Sequence, residues 1–438
     1  MRSKKLGSAL AVSCLIGLLV AAWAASGSGA AGPVGSSTPS AKLSVCGKGT
    51  GKKATGSPIK MGGIDMVIPG VDFSTIGEIV AAYFKCVNDN GGINNHPISY
   101  TLYTDPLNPA QEAAFARKLI ESDKVVGIVG NTSFAECGVN WKYYKSKGFV
   151  VIGAGVQAEC FGTPVFVESN MGPRYSVQGA AEALIRAGVK SLIISSPDTI
   201  SAYADGAAIK VAQKAGIPAK SIPLHLPVTD ANAAILQLVQ AAGSGGGVIL
   251  DYDPTSAPPL MKAAEQQGLV DKVKWGSSTP IANTFMSSQF SPKWDGHLWI
   301  NQEFSNLDPS VGPDTRLMID ILKAYAPTIP PQAFGQMGFM DGKFATIALL
   351  NAAAKGPVTA KSYNKAVRGL KNIKTDMLCK PWYVGDNLPY HIPSNADITV
   401  DYKDGRIVVK EKCFNLGPVD PELAQTRVWE KKYKLNTG

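Results

Sequence analysis

Histidine is scarce in this chain: there are four among 438 residues, at positions 96, 225, 297 and 391, far apart in sequence. There is no C-x-x-C pair and no H-E-x-x-H, so neither a structural nor a hydrolytic zinc site has support. The G-x-S-x-G elbow of a serine hydrolase is missing, and residues 47–53 carry glycines and lysines without the spacing of a phosphate-binding loop. One literal G-x-G-x-x-G runs from Gly27 to Gly32, but no strand pattern precedes it and no helix pattern follows. Charged residues make up only 18% of the chain, and the basic ones behind the net +9 are scattered rather than striped. That distribution argues against a nucleic-acid partner. Asp251 and Asp253 are paired carboxylates on one loop, whereas acid–base catalysis needs two groups of separated pKa facing one atom. We therefore expect no catalytic residue, no metal and no cofactor.

The N-terminus carries an export pattern. Residues 1–5 are short and basic, residues 6–25 hold no charge, and Ala22-Trp23-Ala24 offers a small-x-small cleavage pattern. An uncleaved anchor is the alternative, since 20 apolar residues can span a bilayer. Cys14, after Ala11-Val12-Ser13, hints at lipidation, although the apolar run continues beyond it. Without Cys14, six cysteines remain, at 46, 86, 137, 160, 379 and 413, an even number suited to an oxidising compartment. Six cysteines allow 15 pairings. Local geometry favours Cys137 with Cys160 and Cys379 with Cys413, and Cys46 pinning the N-terminal extension to Cys86.

Residues 26–57 are rich in Gly, Ser, Ala and Thr without an apolar period, which reads as a flexible linker. An ordered alternation then begins. A strand over 59–64 leads through Pro69-Gly70 into a helix with Ile76, Ile79, Val80, Tyr83, Phe84 and Val87 at three- and four-residue steps. Asn90-Gly91-Gly92 ends that helix. A strand over 98–103 running into Asp105, a helix ending near 120 and a strand over 125–129 follow, the last opening into Gly130-Asn131-Thr132-Ser133. The alternation continues with a helix to 147 and strands at 149–152 and 165–167, and breaks at 170–173. A second set holds strands at 191–194, 221–226, 248–250 and 273–275, with helices between them. Helices at 314–325, 337–354 and 360–370 come next, and a hairpin closes around Lys403-Asp404-Gly405. Repeated strand–helix units of this kind build parallel α/β sheets with ligand-accepting edges.

From residue 58 onward the order of parts resembles the type I solute-binding proteins of ABC importers, the group that includes the leucine/isoleucine/valine-binding proteins. The resemblance rests on the strand–helix order of 59–133, the Asn-Gly-Gly helix stop, Asp105 and the serine-bearing loop at 130–134. It implies two Rossmann-like lobes with parallel central sheets, joined by a three-crossover hinge. Lobe 1 is expected from 58–170 and 304–378, and lobe 2 from 171–303 and 379–438. It further implies an exported, extracytoplasmic protein, a monomer or weak dimer, that hands a small molecule to a membrane permease. A ligand sensor of the same fold is the alternative.

In open α/β sheets, ligands sit outside the carboxyl ends of the strands. The loops there are 69–75, 130–134 and 154–157 in one lobe and 199–203, 252–255 and 277–281 in the other. The expected ligand contacts are Phe73, Thr132, Ser133, Phe134, Val156, Gln157, Tyr203, Tyr252 and Asp253. Thr132 and Ser133 also suit a helix cap, and Asp251 and Asp253 suit either capping beside Pro254 or an ammonium group. Tyr203 stands where the family shows a tyrosine before a glycine-containing helix start. Gln157 replaces the family's usual Ser or Thr. With the aromatic rim of Phe73, Phe134 and Tyr252, it tilts expectation from a simple branched amino acid toward an organic acid or aromatic compound.

Overall fold

The computed structural model describes residues 45–434, apart from Gly70, Asn283, Phe285, residues 385–394 and residue 433. The expected leader at 1–25 and linker residues 26–44 lie outside the described residues. Residues 45–57, expected as the end of a flexible linker, are tied to the folded body instead. Cys46 is bonded to Cys86, and the Ala54 N–H donates to the Asn88 carbonyl at 2.8 Å.

The first lobe is built from β1 (Ile59–Ile68), β2 (Val71–Asp72), α1 (Ser74–Asp89), β3 (Ile98–Asp105), α2 (Pro109–Arg117), β4 (Gly127–Asn131), α3 (Glu136–Lys147), β5 (Val151–Gly153), α4 (Ala158–Gly162) and β6 (Phe166–Glu168). β3, β1, β4, β5 and β6 lie side by side and parallel, and β2 folds back on the end of β1. Met61 to Met66 of β1 are all buried, as expected of a strand covered on both faces by helices. Asp72 accepts the Ser74 N–H and so starts α1; Gly91 and Gly92, both at positive φ, follow its end. Asn108 caps α2, and the Asp105 carboxylate in turn holds the Asn108 N–H, so Asp105 orders this loop.

The second lobe comprises α5 (Gly172–Arg186), β7 (Leu192–Ser195), α6 (Ser201–Lys214), β8 (Ala219–Ser221), α7 (Ala231–Ala242), β9 (Gly247–Leu250), α8 (Ala257–Gln266), β10 (Lys274–Ser277) and β11 (Leu298–Gln302). Next come α9 (Pro313–Tyr325), α10 (Ala333–Ala353) and α11 (Ala360–Arg368), followed by β12 (Ala396–Lys403), β13 (Arg406–Asn415) and α12 (Pro421–Lys432). The second sheet runs β13-β12-β11-β10-β9-β7-β8, parallel from β11 to β8 and antiparallel at the β12/β13 edge. Asp404 and Gly405 both have positive φ, so the hairpin turns as the D-G signal requires. α10 packs on α1, β4 and β5, and most of its residues are buried, which explains why it is apolar nearly all round.

The short β2 and α4 were not expected, and three larger elements also differ from expectation. The strand expected at 221–226 shrinks to Ala219–Ser221, because Pro223 has no N–H for a ladder and only Leu224 bridges onward, to Pro197. β11 and α12 were not foreseen: the first ends in Asn301 and Gln302, which break the apolar run of a buried strand, and the second is largely polar with only four buried residues. The three expected disulfides are formed, with Cα–Cα distances of 5.9, 5.2 and 5.9 Å. Among the described residues, no helix is long and apolar enough to cross a membrane.

Candidate functional site

The strand ends of the two sheets meet around one cavity, with about 580 Å³ of space between its walls, part of it open to solvent. From the first lobe come Phe73 and Ile76 at the start of α1, Thr132 and Phe134 after β4, and Ala154 and Val156 after β5. Phe334 and Met337 reach the same wall from the first turns of α10. Phe73 meets Phe134 edge-on at 5.3 Å and Phe334 at 5.6 Å, an aromatic cluster in the arrangement ring quadrupoles favour. This wall is almost wholly apolar.

The opposite wall carries nearly all of the cavity's polar side chains, set among glycine, prolines and Ile200. Asn170, Gly172, Pro173 and Ser176 come from the entry to α5, and Pro197 and Ile200 from the loop after β7. Asp251, Tyr252 and Asp253 follow β9, Ser278 and Pro280 follow β10, and Glu303 follows β11. Beneath them, Ser176 Oγ shares a hydrogen bond with Thr279 Oγ1 at 2.9 Å and accepts the Thr279 N–H at 2.9 Å. The hydroxyl of Tyr252 is already paired with Ser195 Oγ at 2.8 Å, so Tyr252 offers the cavity its ring.

Burial governs the charge of this wall. Burial pushes the Asp251 carboxyl up to about 7, against the lowering pull of the nearby Ser278 and Ser196 hydroxyls, with the charge of Asp205 pushing the same way as burial. It raises Glu303 to about 8, although the Met171 N–H and Thr279 favour the ionised form. Asp253 is raised by burial and held down by its bonds to Thr255 and Ser256.

Six of the nine expected contacts line the cavity: Phe73, Thr132, Phe134, Val156, Tyr252 and Asp253. The other three turn elsewhere. Ser133 is buried, donates to Glu112 Oε1 and accepts the Ala135 N–H at 3.0 Å, so its hydroxyl is spent within the loop before α3. Gln157 Oε1 accepts the Gly138 N–H at 3.3 Å. Tyr203 lies in the first turn of α6 rather than on a loop; its ring stacks on Phe161, with the Arg174 guanidinium 5.4 Å from its centre. The lining residues outside the expected loops include Ile76, Asn170, Ser176, Glu303, Phe334 and Met337. The helical period places Ile76 on a buried face, but nothing local distinguishes a cavity-facing residue from core. Among the described residues, the one cluster with metal-ligand spacing is Cys137, Cys160 and Glu168, and its two sulfurs are joined in a disulfide.

Two parallel-sheet lobes with a cavity between their strand ends define a type I solute-binding protein. The sequence model of the periplasmic binding protein family matches residues 74–396, and the chain belongs to that family. It is a family of extracytoplasmic binding proteins rather than enzymes. No curated protein sequence matches the chain. Among solved structures it is similar to a fatty acid ABC transporter substrate-binding protein from Thermomonospora curvata, at 14% identity and TM-score 0.70, over 89% of this chain and 97% of that one. A branched-chain amino acid ABC transporter protein from Thermus thermophilus with bound valine is 14% identical, with TM-score 0.72, over 85% and 99% of the two chains. A solute-binding protein from R. palustris in complex with benzoate is 16% identical, with TM-score 0.65, over 81% and 96%. Identities this low carry the fold and leave the ligand open.

Proposed function

We propose that this chain is the exported solute receptor of an ABC importer, which captures a small organic molecule between its lobes and delivers it to a membrane permease. One observation carries the reading: a single cavity is walled by strand-end loops of both lobes, an apolar wall facing a polar one. A molecule touching both walls favours the closed arrangement over the open one by that differential contact, which is the signal a permease needs. The neighbours with fatty acid, valine and benzoate in their descriptions support small organic solutes as a class. In this reading lobe 1 is 58–170 with 304–378, lobe 2 is 171–303 with 379–438, and residues 1–25 direct export.

The test has two stages. Native mass spectrometry of gently purified protein identifies the retained solute, and uptake of that labelled solute is then measured in cells with and without the gene. Uptake lost with the gene is the expected result. Undiminished uptake contradicts the import role.

A further inference from the structure

Given the capture role just proposed, the head group of the solute can be read from what the cavity offers. None of the described residues lining it is Lys, Arg or His. The nearest cation in sequence, Arg174, is held by Asp420 and by the Tyr203 carbonyl. A carboxylate ligand lacking a cation could still bind at a helix N-terminus, but on the polar side the α5 terminus and the turn before α8 are occupied. Glu303 accepts the Met171 N–H at the start of α5, and Asp253 accepts the Thr255 N–H just before α8.

What remains is acceptors. Asp251 Oδ2 and Asn170 Oδ1 have no hydrogen-bond partner within the protein, and both residues are at most 5% exposed. The Asn170 amide already donates to the Gly155 carbonyl at 3.0 Å, so its oxygen is what it has left to offer. The hydroxyls of Thr132 and Ser278, also unpartnered, can accept as well as donate. Buried acceptors without donors are costly unless a ligand supplies the donors. A primary ammonium carries three N–H donors and the charge that complements a buried carboxylate.

We infer that the cavity takes an apolar primary amine, its ammonium between Asp251 and Asn170 and its hydrocarbon body against Phe73, Phe134 and Phe334. This departs from the organic acid that the Gln157 loop and the aromatic rim suggest in the sequence.

The test is titration calorimetry of the whole exported protein with three probes of like body: phenethylamine, phenethyl alcohol and hydrocinnamate. Phenethylamine is expected to bind, the alcohol more weakly, and hydrocinnamate at least tenfold more weakly than the amine. Asp251→Asn is expected to weaken phenethylamine by roughly 10- to 100-fold, the range for one charge-assisted hydrogen bond, and to weaken the alcohol much less. Asp251→Asn is nearly isosteric, and an unchanged melting temperature with the alcohol still bound shows that it folds. Hydrocinnamate binding as tightly as phenethylamine overturns the amine assignment and leaves capture in the cleft standing. An amine affinity indifferent to Asp251→Asn overturns it equally. If none of the three probes binds to folded protein, the amine assignment falls, and the capture reading is decided separately by the solute recovered in native mass spectrometry.

Discussion

The carboxylate of Glu303, just beyond β11, accepts the backbone N–H of Met171 at the entry to α5, 132 residues earlier in the chain. Both groups are buried, so the bond joins the end of one strand to a helix terminus directly beside the cavity. It occupies the position where a helix dipole would otherwise favour an anion.

Glu303→Ala therefore has two consequences. The Met171 N–H loses its acceptor, which costs about 1–3 kcal/mol of stability, measurable as a lower urea midpoint. The freed α5 terminus also becomes receptive to carboxylates, so hydrocinnamate affinity is expected to rise relative to wild type. Glu303→Gln keeps an acceptor oxygen and is expected to recover most of the stability.

The first lobe buries acids without cations. Asp65 and Asp341 have both carboxylate oxygens unpartnered, and Glu168 and Glu136 have one each. Burial raises Asp65 to about 6, Glu136 to about 7 and Asp341 to about 8, and pushes Glu168 well up. The ordinary values are 3.8 for Asp and 4.5 for Glu, so between about pH 4 and pH 8 the folded protein holds protons that the unfolded chain has released. Stability then falls as pH rises through that window. The urea midpoint should be higher at pH 5 than at pH 8, and Asp341→Asn should flatten the difference. A midpoint higher at pH 8 contradicts this.

α1 and α10 cross in close contact at Gly338. A Cβ there would stand 2.4 Å from the Ile76 carbonyl oxygen and 2.9 Å from Ile79 Cβ. Ile76 lines the cavity, as do Phe334 and Met337 within a turn of Gly338 on α10. Gly338→Ala must push the helices apart, an overpacking that typically costs 1–3 kcal/mol. Because the apolar wall moves with them, solute affinity should fall together with the melting temperature. A melting temperature and affinity both equal to wild type would show that the helices accommodate the methyl group.

The architecture was legible because strand and helix periods alternate cleanly from Ile59 onward, and because Gly, Pro and Asn punctuate their ends. The cavity was legible only in part. Phe73, Thr132, Phe134, Val156, Tyr252 and Asp253 follow strand ends, and the rule for parallel sheets finds them. Phe334 and Met337 come from a helix that is apolar nearly all round, so nothing local separates the cavity-facing side chains from the packed ones. Glu303 follows a strand whose Asn301 and Gln302 interrupt the apolar run that marks a buried strand. Ser133, Gln157 and Tyr203 look like ligand residues in sequence, but they are claimed by Glu112, Gly138 and the Phe161–Arg174 pair, which only the tertiary fold brings to them.

The central claim is that one solute molecule touches both walls of the cavity at once. Its most direct test is the dissociation constant of the solute recovered from the protein, measured for wild type, Phe134→Ala on the apolar wall and Ser278→Ala on the polar wall. Each substitution is expected to weaken binding, by about tenfold for a loss of about 1.4 kcal/mol. Affinity that survives either change intact would contradict capture between the lobes.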